Sequence, residues 1–201
     1  MIPKKLILFI DDKNIYMAAR RAFFTDTDPH YYGQINPIEL GNLICSRSPE
    51  GEARILSQVR IYTGSPDATK QPQAYAAHCK QRNEWLRLGA KVITRTLKYP
   101  INWPVTRPEQ KGVDVALAVD FVTSGIDLEY EVGVIASTDT DLKPAIEYVN
   151  KKLRNICQTE VLAWHSPRSR SRLSIRASNI WCYWLDANDY EHVSDLTDYN
   201  R

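Results

Sequence analysis

"LILFIDDKNIYMAAR", residues 6–20, decides the fold. Leu6 to Ile10 run without alternation into Asp11 and Asp12, and a helical pattern follows from Ile15 to Phe24. A short, wholly apolar run has no polar face to offer water. It reads as a strand buried on both sides, the kind found inside a parallel sheet. The strand ends on two adjacent carboxylates, which a core rejects, so solvent or a cation has to receive them.

Outward from this strand the chain keeps alternating. Asn36-Pro37-Ile38-Glu39 predicts a helix start, with Asn36 as N-cap, Pro37 at the first position and Glu39 closing a capping box, and the helix runs to about Arg47. Ile55–Tyr62 is the second strand, and Pro72–Leu88 a long helix stopped by Gly89. Lys91–Thr96 is the third strand. Residues 97–110 hold Pro100, Pro104 and Pro108 with no periodicity, a loop long enough to expect function from it. Val113–Val122 returns to helix, followed by strand Glu131–Ala136, helix Leu142–Leu153 and strand Glu160–Trp164. Asn179–Leu185 is a sixth strand or an appended element. Such alternation predicts a three-layer α/β fold around a mainly parallel sheet of five to six strands. The expected organisation is a single domain over residues 1–201, with 166–201 as a C-terminal extension packed on it.

The net charge of +2 excludes nucleic-acid binding by bulk charge, so any such affinity has to come from a local patch. Cys45, Cys79, Cys157 and Cys182 form no Cys-x-x-Cys pair and the histidines do not gather beside them, so they read as reduced thiols rather than zinc ligands or disulfides. The apolar run at 6–10 is too short for a signal peptide or a membrane span, and the expectation is a cytoplasmic protein.

Sites in open parallel α/β sheets form at the carboxyl ends of strands, beside the switch in strand order. Asp11 and Asp12 follow the first strand, Asp139 and Asp141 in "VIASTDTDLKP" follow the fourth, and Asp114 in "KGVDVALAVD" opens the helix before it. Brought together, these carboxylates repel one another unless a cation neutralises them, and oxygen donors without His or Cys favour Mg²⁺ or Mn²⁺. A bound ion of that kind supports phosphoryl chemistry. Each acid also has a plain reading: Asp139 as a helix N-cap, Asp141 and Asp114 as first-turn residues that suit the helix dipole. Asp11, which ends an apolar strand, is the hardest to explain that way. Asp120 lies about 120° round the helix from Asp114 and does not share its face.

The same residues carry a resemblance. "FIDDKNIY" resembles the opening motif of the NYN domain family, a branch of the PIN-like nucleases, in which apolar residues lead to Asp, Gly, any residue and Asn. "QKGVDVALAVDFV" is similar to its central Lys-Gly-x-Asp-Val-x-Leu-x-x-Asp motif, "ASTDTDLKPAI" to its third, and "RTLKYP" to the stretch before its central loop. The resemblance implies a PIN-like fold and a metal-dependent ribonuclease using Mg²⁺ or Mn²⁺, with RNA as partner. It makes Asp11, Asp114, Asp139 and Asp141 metal-binding acids, Asn14 and Ser137 polar support, and Asp120 an accessory acid. Two positions depart from the pattern, where Asp12 and Thr138 stand in place of glycine. Glycine at such sites provides room or a left-handed backbone. Asp12 brings a further carboxylate that can join the metal set.

Contacts to RNA are expected from Lys98, Arg107 and Lys111 around the proline loop, with Tyr99 and Trp103 for stacking. Arg168, Arg170, Arg172 and Arg176 would line one face of an extended segment. A solvated loop is the plainer reading of that basic run. Other folds with clustered acids fit less well: residues 139–143 do not complete the motif of a haloacid-dehalogenase-like phosphatase, and the Gly-x-Gly-x-x-Gly of a dinucleotide binder is missing. The alternative kept open is an NYN-like domain that binds RNA or a protein partner without cleaving. A homodimer or another oligomer also stays open.

Overall fold

The computed structural model describes residues 2–175 and 179–201, so Arg176 lies outside the described residues. Among these, six parallel strands form one sheet: β1 (Lys4–Asp11), β2 (Arg54–Ser65), β3 (Lys91–Thr96), β4 (Val132–Ala136), β5 (Gln158–Trp164) and β6 (Cys182–Leu185). The helices are α1 (Asp12–Phe23), α2 (Pro37–Ser46), α3 (Pro72–Arg87), α4 (Val113–Ile126), α5 (Lys143–Lys152) and α6 (Ala187–Val193). Strand order is β3-β2-β1-β4-β5-β6, and every neighbouring pair is parallel.

β1 lies at the centre because both its faces are apolar. Leu6, Leu8 and Ile10 enter one core with residues of α1, α2, α3 and α6, while Ile7 and Phe9 enter a second with residues of α4 and α5. Each such side chain contributes roughly 1.5–3 kcal/mol on burial, which fixes the strand in the middle layer. In the second core, Phe9 meets Phe121 and Tyr130 edge-on at 5.2 and 5.7 Å. Gly133 on β4 makes that cluster possible, since a Cβ there would stand 2.7 Å from both Phe121 and Tyr130.

Local details depart from the sequence reading. α1 starts at Asp12, not Ile15, because Asp11 is at once the last residue of β1 and the N-cap of the helix. Asn36 caps α2 as expected, accepting from Ile38 and Glu39 N–H at 3.0 and 3.3 Å. Its own N–H goes to the Val193 carbonyl at 2.7 Å, so that donor has no need of the Glu39 side chain. A full capping box forms instead at α6, between Asp186 and Asp189. Residues 140–142 make a single 3₁₀ turn before α5. Residues after 166 supply β6, at the edge of the sheet, and α6, whose Tyr190 and Val193 join the first core. No helix among the described residues is long and apolar enough to cross a membrane.

Candidate functional site

The chain leaves β1 for β2 and β3 on one side and returns to β4, β5 and β6 on the other, so the strand order switches between β1 and β4. The carboxyl ends of those two strands frame a crevice, and Asp11 and Ser137 stand at its two walls. Asp11 is only 7% exposed. Its Oδ1 accepts from Asn14 N–H and its Oδ2 from the Ser137 hydroxyl, both at 3.2 Å. Ser137 Oγ accepts in turn from Asp139 N–H at 3.1 Å, and Asp139 Oδ1 from Asp141 N–H at 3.0 Å. Thr138 closes the network, its N–H and hydroxyl donating to Asn14 Oδ1 at 2.9 and 3.0 Å. Five of the expected residues, Asp11, Asn14, Ser137, Asp139 and Asp141, thus belong to one hydrogen-bonded unit.

Electrostatics bring in a sixth. Burial pushes the Asp11 carboxyl above its ordinary value; the Asn14 N–H and the Ser137 hydroxyl oppose this, and the carboxylates of Asp139 and Asp114 raise it further. Asp114, in the first turn of α4, makes no hydrogen bond or ion pair among the described residues. Asp11, Asp139 and Asp141 likewise have no cationic partner there. Gly112 positions the turn before α4 with a φ of +75°, and a Cβ placed on it would meet nothing within 4 Å, so backbone conformation rather than space calls for glycine.

The donor set is chemically right for a hard divalent ion: carboxylate oxygens, buried at one member and without a countercharge. Mg²⁺ is commonly held by one or two carboxylates and keeps its remaining waters, which suits an open arrangement. It is not a closed cage. Among the described residues no three His, Cys, Asp or Glu groups stand close enough together to hold a metal as they are.

The aspartate doublet divides. Asp12 Oδ2 accepts from the Thr63 hydroxyl at 2.8 Å. Thr63 follows Ile61 in alternation on β2 and so belongs to the face of the first core, opposite Tyr62. Burial, then the neighbouring Asp11, push the Asp12 carboxyl up to about 6, against the pull of Thr63. The two departures from glycine cause no left-handed strain, since Leu128 is the non-glycine residue with positive φ among those described. Thr138 instead supplies the two donors that orient Asn14.

Asp120 is held away from the other acids' network. It pairs with Arg60 at 2.8 Å and accepts a short hydrogen bond from the Tyr62 hydroxyl, while Arg60 also pairs with Glu129. Among the basic residues, Lys98 and Arg107 are exposed, and Lys111 makes an exposed pair with Glu109 at 3.5 Å. Tyr99 already has one face under Lys70, at 4.5 Å, and meets Trp103 edge-on. The basic run does not extend as one strand: residues 166–169 make a turn closed by Ser166 and Ser169, and the Arg172 guanidinium lies over Trp184 at 5.9 Å. Arg168, Arg170 and Arg172 are nonetheless exposed, on the loop that leaves the same carboxyl edge of the sheet.

Sequence reasoning did not find Thr63, because its partner is 51 residues away. Thr138 was visible, but as a missing glycine rather than as a donor. No curated protein sequence matches this chain. Its structure is similar to the crystal structure of a protein of unknown function from Vibrio parahaemolyticus, with a TM-score of 0.55 and 16% identity, over 92% of this chain and 95% of that one. That likeness shows a shared fold. The NYN domain family model matches residues 5–181, which take in β1 from Lys5 through β5 and every acid of the candidate site. On that match the chain belongs to the NYN domain family.

Proposed function

We propose that the protein is a metal-dependent ribonuclease that hydrolyses RNA phosphodiester bonds at the β1–β4 crevice. The observation that carries this reading is the buried Asp11 carboxyl, pushed up by burial and then by Asp139 and Asp114, with no cation among the described residues to balance the three. Asp11, Asp114 and Asp139 would hold Mg²⁺ or Mn²⁺, with Asp141 at the exposed rim. When bound, such an ion stabilises charge on the reacting phosphate and makes water a stronger nucleophile at neutral pH.

The chain's own groups prepare that chemistry. Asn14 N–H and the Ser137 hydroxyl fix the Asp11 carboxylate, so its orientation is set before substrate arrives. Because Thr138 occupies Asn14 Oδ1 with two donors, the Asn14 Nδ2 group is left to donate to a phosphate oxygen. Arg168, Arg170 and Arg172, with Lys98, Arg107 and Lys111, would track the strand by its phosphates.

A second reading, an NYN domain that binds RNA or a protein partner without cutting, draws on the absence of a closed three-group metal cluster among the described residues. Incubation with single-stranded and structured RNA in Mn²⁺ separates the two. Cleavage that stops in EDTA, and that falls at least about a hundredfold in Asp11→Asn and Asp114→Asn, is expected from a site that loses preorganised charge stabilisation. Cleavage that survives both controls would overturn the assignment, and tight metal-independent binding without cleavage would favour the second reading.

A further inference from the structure

A second site lies across the sheet from the acids. A cleft of about 310 Å³ opens beside the carboxyl ends of β2 and β3, between α1, α3 and the 97–110 segment. That places it at the small end of the ~300–1,000 Å³ range of small-molecule sites. Asp12, Tyr16, Gln34 and Gln81 line both this cleft and a narrow crevice beneath it that reaches Trp85. Gly64 lets the outer wall close: a Cβ there would stand 2.5 Å from Gln110 and 2.6 Å from Leu97, both lining residues.

Unpaired polar atoms are concentrated here. Five buried side-chain atoms among the described residues have no hydrogen-bond partner; two of them, Gln34 Oε1 and His78 Nε2, belong to residues lining the cleft, and a third, Trp85 Nε1, to the crevice beneath, which has room for no more than a water. Such atoms are unfavourable until a ligand or solvent group meets them. Burial and Arg82 push the His78 imidazole down, which keeps it neutral, with one ring nitrogen a donor and the other an acceptor. The Tyr16 hydroxyl donates to the His30 carbonyl at 2.7 Å, which fixes its ring in place. Leu97 and Pro108 give apolar surface opposite.

We propose that this cleft takes a nucleobase. A base needs apolar walls for its faces and mixed donors and acceptors for its edge, and both are present. A phosphate needs positive charge, yet the lining carries Asp12 against Lys13 and offers no net positive field. The two sites share their chain. Asp12 follows Asp11, and Gln110 stands four residues before Asp114, so both sites open at the same carboxyl edge of the sheet and one RNA strand would serve both. The inference rests on the ribonuclease reading for the strand that delivers the base, but not for the cleft itself. A base in an RNA strand and a free nucleotide offer the same chemistry.

The test uses the full chain as Asp114→Asn in EDTA, so that RNA stays intact. Affinity for short homopolymers of each RNA base is read by fluorescence anisotropy, and binding of each nucleoside monophosphate by calorimetry. One base is expected to bind roughly tenfold more tightly, the worth of about one buried hydrogen bond. Gln34→Leu and His78→Leu should each erase that preference while leaving the weaker homopolymers unchanged. A monophosphate that binds as tightly as its homopolymer supports the cleft and makes free nucleotide its source. Equal affinity for every base overturns the proposal, as does a preference that persists in both variants. Melting curves guard against misfolding, with His78→Gln as the milder replacement, expected to keep part of the preference. If the unmutated chain never cuts RNA in Mn²⁺ but the preference holds, the ribonuclease reading fails and the cleft stands.

Discussion

Asp11 has two separable duties, and Asp11→Asn divides them. Asparagine caps a helix about as well as aspartate, so the bond from Asn14 N–H should survive, whereas Asp11→Ala loses a cap worth about 1 kcal/mol. Alanine also strips the acceptor from the buried Ser137 hydroxyl, for about 1 kcal/mol more. The amide further escapes burial of a charge and the repulsion of Asp139 and Asp114, which together hold the Asp11 carboxyl above its ordinary 3.8. With the folded pKa raised, the folded chain keeps that proton when the unfolded chain has lost it. The wild type therefore loses stability as pH rises from 3.8 to the raised value, and the deficit stays constant above it. In EDTA at pH 7, Asp11→Asn should be at least as stable as wild type, with the advantage gone at pH 3. Mn²⁺ at a hundred times its Kd should then stabilise wild type by about 2.7 kcal/mol and the variant by far less. Urea unfolding followed by circular dichroism, with and without Mn²⁺, reads all of these differences. Equal stabilisation of both proteins by Mn²⁺ would refute the ligand assignment, whatever the activity assays showed.

Other expectations concern the frame around the site. The Arg54 side chain is fully buried and bonds both oxygens of Glu160, at 2.7 and 2.8 Å; Arg54→Met should cost about 3–5 kcal/mol in urea unfolding by leaving that carboxylate unpaired. Asp12→Asn keeps an acceptor for Thr63 and removes a carboxyl pushed up to about 6, so at pH 7 in EDTA it should gain up to about 3 kcal/mol. By the same linkage, that gain should vanish below about pH 3.8, where both folded and unfolded chains are protonated. Replacing Arg168, Arg170 and Arg172 with glutamine should flatten the salt dependence of single-stranded RNA affinity, by about 0.7 in log–log slope for each phosphate no longer neutralised; an unchanged slope would remove that loop from the interface.

Much of this architecture was legible because β1 announces itself. An apolar run with no alternation has to be central, and regular alternation of strands and helices around it fixes a parallel sheet. The edges were harder. β6 is four residues long, its Trp184 is exposed and its Tyr183 hydroxyl bonds Glu160, so no clean pattern marks it as a strand. The start of α1 was hidden because Asp11 serves strand and helix together, leaving no loop to punctuate the change. At the site, strand-end acids could be named from position alone. Their partners could not, because Ser137 is 126 residues from Asp11 and Arg60 is 60 from Asp120. Spacing in a motif likewise could not tell an acid facing the crevice from one neutralised by an arginine on β2.

The direct passage from β1 into α1 has a mechanical consequence. Asp11 is carried by a strand paired on both sides and pinned by the helix that begins at the next residue, so it forms a fixed jaw. Asp114 and Asp139 ride on segments of a different kind, a helix entered through the proline-rich loop and a turn that closes in one 3₁₀ coil. Any tightening around an ion or a phosphate would come from those two segments, since β1 is held by the ladders on both its sides. Hydrogen exchange should accordingly slow on Mn²⁺ addition across residues 110–116 and 138–142, while the amides of β1, sealed in the sheet, stay as protected as before.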